Sequence, residues 1–110
     1  MSYIIHITAT AERDIMRAAD HIEFNLKNPT AADHLLDVAT KQINSLADMP
    51  QKFRLVYDPV LASWEIRYVI VNNYLAFYTI DEEKQMVIVV RFLYQKSNWN
   101  AILRQGFSLI

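Results

Sequence analysis

The sequence lacks several residue types on which common kinds of site depend. It has no cysteine, so neither a disulfide nor a thiolate centre can form, which fits a reducing compartment. It has one glycine, which excludes the glycine-rich loop that cradles phosphate groups. Its longest apolar runs are as short as strands, far below the roughly 20 residues that a membrane span requires.

The composition and the N-terminal residues predict a soluble, cytoplasmic protein with one folded domain over residues 1–110. Apolar and aromatic residues make up 53% of the 110 residues, enough to bury a substantial core. The opening residues, MSYIIHITAT, show no basic stretch followed by a long apolar run, so we expect no signal peptide and no membrane partner.

The net charge of −1 conceals an uneven distribution along the chain. Acids exceed bases between Glu12 and Asp48, whereas the residues after Glu83 include cations and no acid. The C-terminal part is therefore the expected place to meet an anion.

Residues 64–81, WEIRYVIVNNYLAFYTID, predict a β-hairpin. Two apolar runs meet at Asn72-Asn73, a pair that tolerates the positive φ of a two-residue turn. Counting outward from this turn predicts three cross-strand pairs on one face of the sheet: Val71 with Tyr74, Val69 with Ala76, and Arg67 with Tyr78. Arg67 is then either satisfied by a carboxylate or backbone carbonyls, or held for an anionic ligand or an acidic partner.

The first half of the chain predicts a strand and two helices. Residues 3–8 alternate as a short strand, and Thr8 or Thr10 can cap the helix that follows. Asn28 and Pro29 suit the N-cap and first position of a second helix, which Met49-Pro50 ends. Helical spacing predicts two apolar stripes: Ile15, Ala18, Ala19, Ile22 and Leu26 in the first helix, and Leu35, Val38, Ala39, Ile43 and Leu46 in the second.

The rest of the chain predicts further strands and a last helix. Phe53, Leu55 and Tyr57 alternate with other residues, which predicts a short edge strand within residues 51–63. Residues 86–93 form a continuous apolar run typical of a strand buried on both faces. Ser97 can cap a short helix that extends to Arg104. The order β-α-α-β-β-β-β-α predicts an α+β fold with a helical hairpin packed on a small, mainly antiparallel sheet.

The motifs of common catalytic sites are missing. The three histidines, His6, His21 and His34, have no spacing typical of metal ligands, and no Ser-His-Asp order or nucleophile elbow is present. We therefore expect neither a metal nor a cofactor. Metal-free RNA cleavage would need a general base, a general acid and cations for the phosphorane charge.

A set of cations and aromatic residues remains in the second half of the chain. The cations are Arg67, Arg91 and Lys96, and the aromatic residues near them in the predicted sheet are Tyr78, Tyr94 and Trp99. The alternative interpretation is that the tyrosines are amphipathic sheet residues and that Trp99 anchors the last helix.

Five segments in order resemble the RelE/ParE toxins, which are the toxic halves of type II toxin–antitoxin modules, also known as addiction or plasmid stabilisation modules. They are ATAERDI at 9–15, NPTAA at 28–32, SLADMP at 45–50, IR…NNYLAFYTID at 66–81 and VIVVRFLYQKSNWNAIL at 87–103. The likeness covers nearly the whole chain. It implies the family's fold and a cognate antitoxin that wraps the toxin with an extended or helical segment.

The resemblance is nearer to ParE-like than to RelE-like members. RelE-like toxins cut mRNA on the ribosome with sheet lysines and arginines and a tyrosine near the C-terminus. This chain has Ile66 and Tyr68 where the lysines would stand, Leu75 in place of an arginine and Ile102 in place of the tyrosine, while Lys96 roughly matches a C-terminal arginine. ParE-like members poison DNA gyrase and lack that set.

The favoured hypothesis is a ParE-like toxin that acts on DNA gyrase and is neutralised by its antitoxin, as a homodimer or a toxin–antitoxin hetero-oligomer. The candidate target-binding residues are Arg91, Tyr94, Lys96, Asn98, Trp99 and Arg104. One alternative is a ribosome-dependent mRNA endonuclease, whose candidate catalytic residues are Arg67, Tyr78, Arg91, Tyr94 and Lys96. The other alternative is a degenerate, non-toxic binding module.

Overall fold

A four-stranded sheet with helices on both faces forms the centre of the computed structural model, which describes residues 2–110. Its strand order is β1-β4-β3-β2, with β1 parallel to β4 and the other neighbours antiparallel. The elements in chain order are β1 (Ile4–Ile7), α1 (Ala9–Asp20), α2 (Pro29–Asn44), α3 (Pro59–Ser63), β2 (Arg67–Val71), β3 (Tyr74–Asp81), β4 (Met86–Tyr94) and α4 (Trp99–Arg104). The α+β prediction is confirmed.

Each helix of the helical hairpin begins at its predicted N-cap residue. The Thr8 hydroxyl accepts from the backbone N–H of Ala11 at 3.2 Å, and the Asn28 side chain accepts from that of Ala31 at 3.1 Å. Both bonds satisfy an N–H that has no partner within its helix, and Pro29 fits the first turn because it has no N–H.

The end of the first helix differs from the prediction. α1 continues directly into a π-helical turn, His21–Asn25, whose wider winding rotates the following residues relative to the apolar stripe of α1. Leu26, predicted to be buried in that stripe, is 61% exposed. The neighbouring Phe24 is also exposed, so the turn displays apolar side chains at the mouth of the hairpin.

The edge strand predicted within residues 51–63 is wrong. The segment contains a 3₁₀ turn, Pro50–Lys52, a single bridge between Leu55 and Arg67, and the helix α3. The helix forms because the Asp58 carboxylate accepts backbone N–H groups of the first turn, at 3.0 and 3.2 Å, and Pro59 opens that turn. Asp-Pro is therefore a helix start here and not a strand end.

The hairpin predicted at residues 64–81 is confirmed. The three same-face pairs in β2 and β3 are Val71 with Tyr74, Val69 with Ala76, and Arg67 with Tyr78. Asn72 adopts the positive φ, 54°, that the two-residue turn requires. Between β3 and β4 the register shifts after Phe77, which bends β4 near Arg91.

The last helix begins one residue later than the Ser97 cap would place it. The Ser97 hydroxyl donates to the Tyr94 carbonyl at 2.6 Å, so it closes the turn after β4 and does not cap α4. Asn98 occupies the N-cap position without a side-chain cap bond. Trp99 and Leu103 are buried against the sheet, which holds α4 in place.

Two cores fill the two faces of the sheet. The α1–α2 hairpin covers one face, where Leu35 and Ile43 pack against Val69 and Phe92. α3 and α4 cover part of the other face, where the core contains, among others, Leu61, Phe77, Val90, Trp99 and Leu103. Because both faces are covered, the inner strand β4 is apolar almost throughout.

One buried carboxylate joins the first helix to β4. Asp14 accepts Nε of Arg91 at 2.7 Å, Nη2 of Arg91 at 3.0 Å and the backbone N–H of Phe92 at 3.0 Å. The Asp14 side chain is 4% exposed and that of Arg91 is 19% exposed. The bidentate geometry and the third donor compensate the carboxylate for its loss of water.

We expect Asp14→Asn to lower the free energy of unfolding by about 2–4 kcal/mol, because it leaves a mostly buried guanidinium without its counter-charge. Urea unfolding of the wild type and the variant measures this difference. Asp20→Asn changes an exposed carboxylate of the same helix and should alter stability by less than about 0.5 kcal/mol. Equal effects of the two substitutions would contradict the role assigned to Asp14.

Arg67 and Tyr78 hold the connection between α2 and α3 against the sheet. Arg67 donates through Nη1 to the carbonyl oxygens of Phe53 at 2.5 Å and Gln51 at 3.3 Å. Tyr78 is fully buried and donates to the Pro50 carbonyl at 2.6 Å. Of the two interpretations of Arg67, satisfaction by backbone carbonyls is therefore confirmed.

Burial raises the pKa of Tyr78 to about 12, against the smaller opposing effect of the Arg67 cation. A tyrosine with a raised pKa stabilises the fold fully below its unfolded pKa of about 10, and this contribution is lost as pH rises through about 12. At neutral pH, Tyr78→Phe should cost about 1 kcal/mol because the Pro50 carbonyl loses its donor.

The difference in the free energy of unfolding between the wild type and Tyr78→Phe, which we call the gap, should therefore narrow between pH 10 and pH 12. Urea unfolding across that range would measure it. Tyr57→Phe, at a side chain that is 81% exposed, provides the control and should give a constant gap. A gap for Tyr78→Phe that stays constant across the range would disprove the assigned pKa shift.

Candidate functional site

Two adjoining cavities open at the end of the sheet where β4 finishes and the β2–β3 turn lies. We call the first the apolar pocket; its volume is about 660 Å³ and its aliphatic lining includes Ile22, Leu26, Ala31 and Leu35. We call the second the cationic pocket; its volume is about 380 Å³ and its lining includes Arg17, Arg91 and Ser97. The two share three side chains as a common wall: His21, Tyr74 and Tyr94.

Two members of the common wall, Tyr74 and Tyr94, come from neighbouring strands. Tyr74 stacks on Phe92 with ring centres 5.1 Å apart and meets the edge of Tyr94 at 5.6 Å. Burial, and secondarily the proximity of Tyr94, raises the pKa of Tyr74. Tyr94 is 43% exposed and is the part of the wall that solvent or a partner reaches.

His21 contributes an imidazole from the first residue of the π-helical turn. The Nδ2 amide of Asn25 lies 2.9 Å from Nδ1 of His21. Because an amide nitrogen only donates, this contact is a hydrogen bond when Nδ1 of His21 carries no proton. His34, on α2, also lines the apolar pocket.

The cationic pocket presents more positive than negative charge. Among residues 2–110, Asp14 is the only acid in its lining, and it already accepts three hydrogen bonds from Arg91 and Phe92. Arg17 is exposed one helical turn after Asp14. An anion entering this pocket would therefore meet two guanidinium groups and a carboxylate that is already paired.

The structure brings part of the predicted target-binding set together. Arg91 and Tyr94 line the cationic pocket, and Lys96 and Asn98 are exposed in the turn after β4. Trp99 is buried and packs at 5.1 Å against the ring of Phe77.

Arg104 lies apart from that group and holds α4 to α3. Its Nη2 is 2.9 Å from Oδ2 of Asp58 and its Nε donates to the same oxygen at 3.0 Å. This hydrogen bond is the main cause that lowers the pKa of Asp58 below its usual value. The contact gives Arg104 a structural role.

The predicted nuclease residues do not converge on one site. Arg67 and Tyr78 hold the loop after α2 through backbone carbonyls, while Arg91, Tyr94 and Lys96 lie around the cationic pocket and the turn beyond it. Tyr78, with a pKa of about 12, is a poor proton carrier at neutral pH.

The pocket residues that sequence reasoning did not propose as site residues include Arg17, His21, His34 and Tyr74. The spacing of Arg17 and His21, four residues apart, places both on one helix face and was an available signal. This spacing did not reveal that the helix face lies toward the end of β4. The carboxylate of Asp14 holds the helix in that position, and Asp14 is distant in sequence from β4.

Two kinds of feature are absent from residues 2–110. No group of three or more histidine, aspartate or glutamate side chains lies close enough to share a metal ion. No helix among them has the length and apolar character needed to cross a bilayer.

Known proteins were compared with this chain in sequence and in fold. No curated protein matches the chain in sequence. A chain of the chromosomal ParDE toxin–antitoxin system from P. aeruginosa superimposes with a TM-score of 0.69 at 15% identity, covering 84% of this chain and 96% of that one. A chain of the toxin–antitoxin complex RelBE2 from Mycobacterium tuberculosis gives 0.58 at 18% identity, covering 86% and 99%. Both likenesses concern the fold.

A match in sequence identifies the family. Residues 5–99 match the family described as the ParE toxin of the type II toxin–antitoxin system parDE; they are most of the chain and include all of β2, β3 and β4 and all of β1 except Ile4. The resemblance to RelE/ParE toxins stated from the sequence is confirmed, and the chain belongs to the ParE toxin family of type II toxin–antitoxin systems.

Proposed function

We propose that the protein poisons DNA gyrase as a ParE-like toxin in the cytoplasm and that a cognate antitoxin neutralises it. The observation that carries this proposal is the exposed, acid-free end of β4 and the turn after it. Tyr94, Lys96 and Asn98 are exposed there, and no acid occurs after Glu83. A protein target can be held by such a surface through charge and aromatic contacts without any proton transfer.

The positions of Arg67 and Tyr78 support a binding mechanism over cleavage. A metal-free nuclease needs an acid, a base and cations that converge on one phosphate. Arg67 and Tyr78 are committed to backbone carbonyls on a different part of the molecule from Tyr94.

A second candidate function is endonuclease activity centred on the cationic pocket. It is favoured by one observation, the position of His21 beside Tyr94 and Arg91. A doubly protonated imidazole can act as a general acid, and the guanidinium groups can stabilise phosphorane charge. The third candidate function is that of a non-toxic binding module, which has the two pockets but no toxic target.

An antitoxin partner is supported by two observations. The similar solved structures are toxin–antitoxin systems. In this chain Phe24 and Leu26 are 65% and 61% exposed beside an open apolar pocket. An exposed apolar patch of this kind is typical of a surface that a partner covers.

We expect inducible expression in bacteria to stop growth with loss of DNA supercoiling and with intact transcripts. Plasmid topoisomers and mapped mRNA ends, followed in the same cells, measure the two activities. Intact supercoiling together with cut transcripts would overturn the gyrase proposal in favour of the nuclease. Normal growth with soluble, folded protein would favour the non-toxic module.

Lys96→Glu should weaken toxicity, because it reverses the charge of the proposed target surface and should reduce affinity about tenfold. The matched control is Lys84→Glu, another exposed lysine in the turn at the opposite end of β4. Dose–response curves of growth against toxin level, with both variants at equal abundance, measure the effect. If both variants retain full toxicity, the surface beyond Tyr94 is not the target site.

A further inference from the structure

We propose that the two pockets together read a short sequence pattern in the antitoxin: a carboxylate that binds Arg17 and Arg91, next to an apolar side chain that fills the apolar pocket. This inference rests on the proposed function, because it names the part of the antitoxin that the toxin recognises. It assigns to Arg17 the role of a specificity-determining contact.

The geometry requires the two chemistries to be adjacent. The cavities share the wall of His21, Tyr74 and Tyr94, so an occupant that reaches both passes over this wall directly from one pocket to the other. The charged group therefore has to sit beside the apolar one in the partner segment.

The charge on the cationic pocket is available for an external anion. Asp14 uses both its oxygens on Arg91 and Phe92, and Arg91 is held in a fixed position with a remaining nitrogen, Nη1, that makes no bond to Asp14. Arg17 is exposed and reaches the same pocket from α1. A guanidinium held in place by Asp14 and a second, exposed guanidinium around one cavity favour a carboxylate, because guanidinium groups bind carboxylates in a bidentate manner.

The surroundings favour a peptide over a nucleic acid. Acids exceed bases along residues 12–48, and Asp20, Asp33 and Asp37 are exposed on the two helices that bear the pockets. A polyphosphate backbone would be repelled by these helices, whereas a single carboxylate needs only the local cations. The aliphatic lining of the apolar pocket likewise suits a leucine or isoleucine side chain better than a base.

The chain offers a matched pair of arginines for the test. Arg13 and Arg17 are exposed on the same helix one turn apart. Both arginines line the outer surface of α1, but only Arg17 also lines the cationic pocket, whereas Arg13 donates to Thr10 at 3.3 Å. Reversing either charge changes the net charge of the protein equally.

The experiment is an NMR titration of the labelled full chain with three probes. The first is acetyl-Leu-Leu-Glu-Glu-amide, the second is its glutamine counterpart acetyl-Leu-Leu-Gln-Gln-amide, and the third is hexauridylate. We expect the glutamate peptide to shift the amide signals of His21, Tyr74 and Tyr94. Arg17→Glu should weaken its binding about tenfold or more, and Arg17→Gln should weaken it by a smaller factor, while Arg13→Glu leaves it unchanged.

Several results would overturn the inference. They are equal binding of the glutamine peptide, equal loss in Arg13→Glu and Arg17→Glu, the absence of shifts around the two pockets, and tighter binding of hexauridylate in the same place. Unchanged amide spectra outside the pockets confirm that each variant is folded. The proposed function is tested separately. If the chain binds the glutamate peptide without arresting growth, the toxin proposal is wrong. If the chain arrests growth without binding the peptide, only this inference is wrong.

Discussion

The carboxylate of Asp14 is the contact on which the geometry of the candidate site depends. It binds a side chain and a backbone N–H of β4, so it fixes α1 both to the strand and to the guanidinium that lines the cationic pocket. A buried ion pair is a weak source of net stability, but it is sensitive to position because each of its bonds has a preferred direction. The end of α1, and with it Arg17 and His21, is oriented by this constraint.

The sheet supports the candidate site only on the side of β4. β4 is buried by helices on both faces along most of its length and emerges at Tyr94, where the packing of α4 begins with Trp99. Gln95, Lys96 and Asn98, between these two points, are exposed, yet the segment is anchored at both ends. A binding surface built this way loses little conformational entropy when a partner docks, because its flanks are already ordered.

Local sequence rules predicted the features that local physics determines. The register of β2 and β3 follows from a two-residue turn, and the starts of α1 and α2 follow from Thr8 and Asn28 acting on N–H groups a few residues away. The prediction at Asp58-Pro59 is wrong because the same pair can end a strand or open a helix, and the choice depends on packing of Leu61 against the other sheet face. The partnership of Asp14 and Arg91 spans 77 residues, and neither pocket is formed by one segment, so no periodicity could reveal them.

The π-helical turn also determines where the apolar pocket opens. A π-helical turn is equivalent to an α-helix that carries one additional residue. Removing one residue from His21–Asn25 would restore regular winding and rotate the residues after the turn by about 100°. Leu26 would then turn from the pocket mouth toward the stripe shared with Ala18 and Ile22. The position of the pocket mouth is thus set by chain length, through one additional residue in the turn.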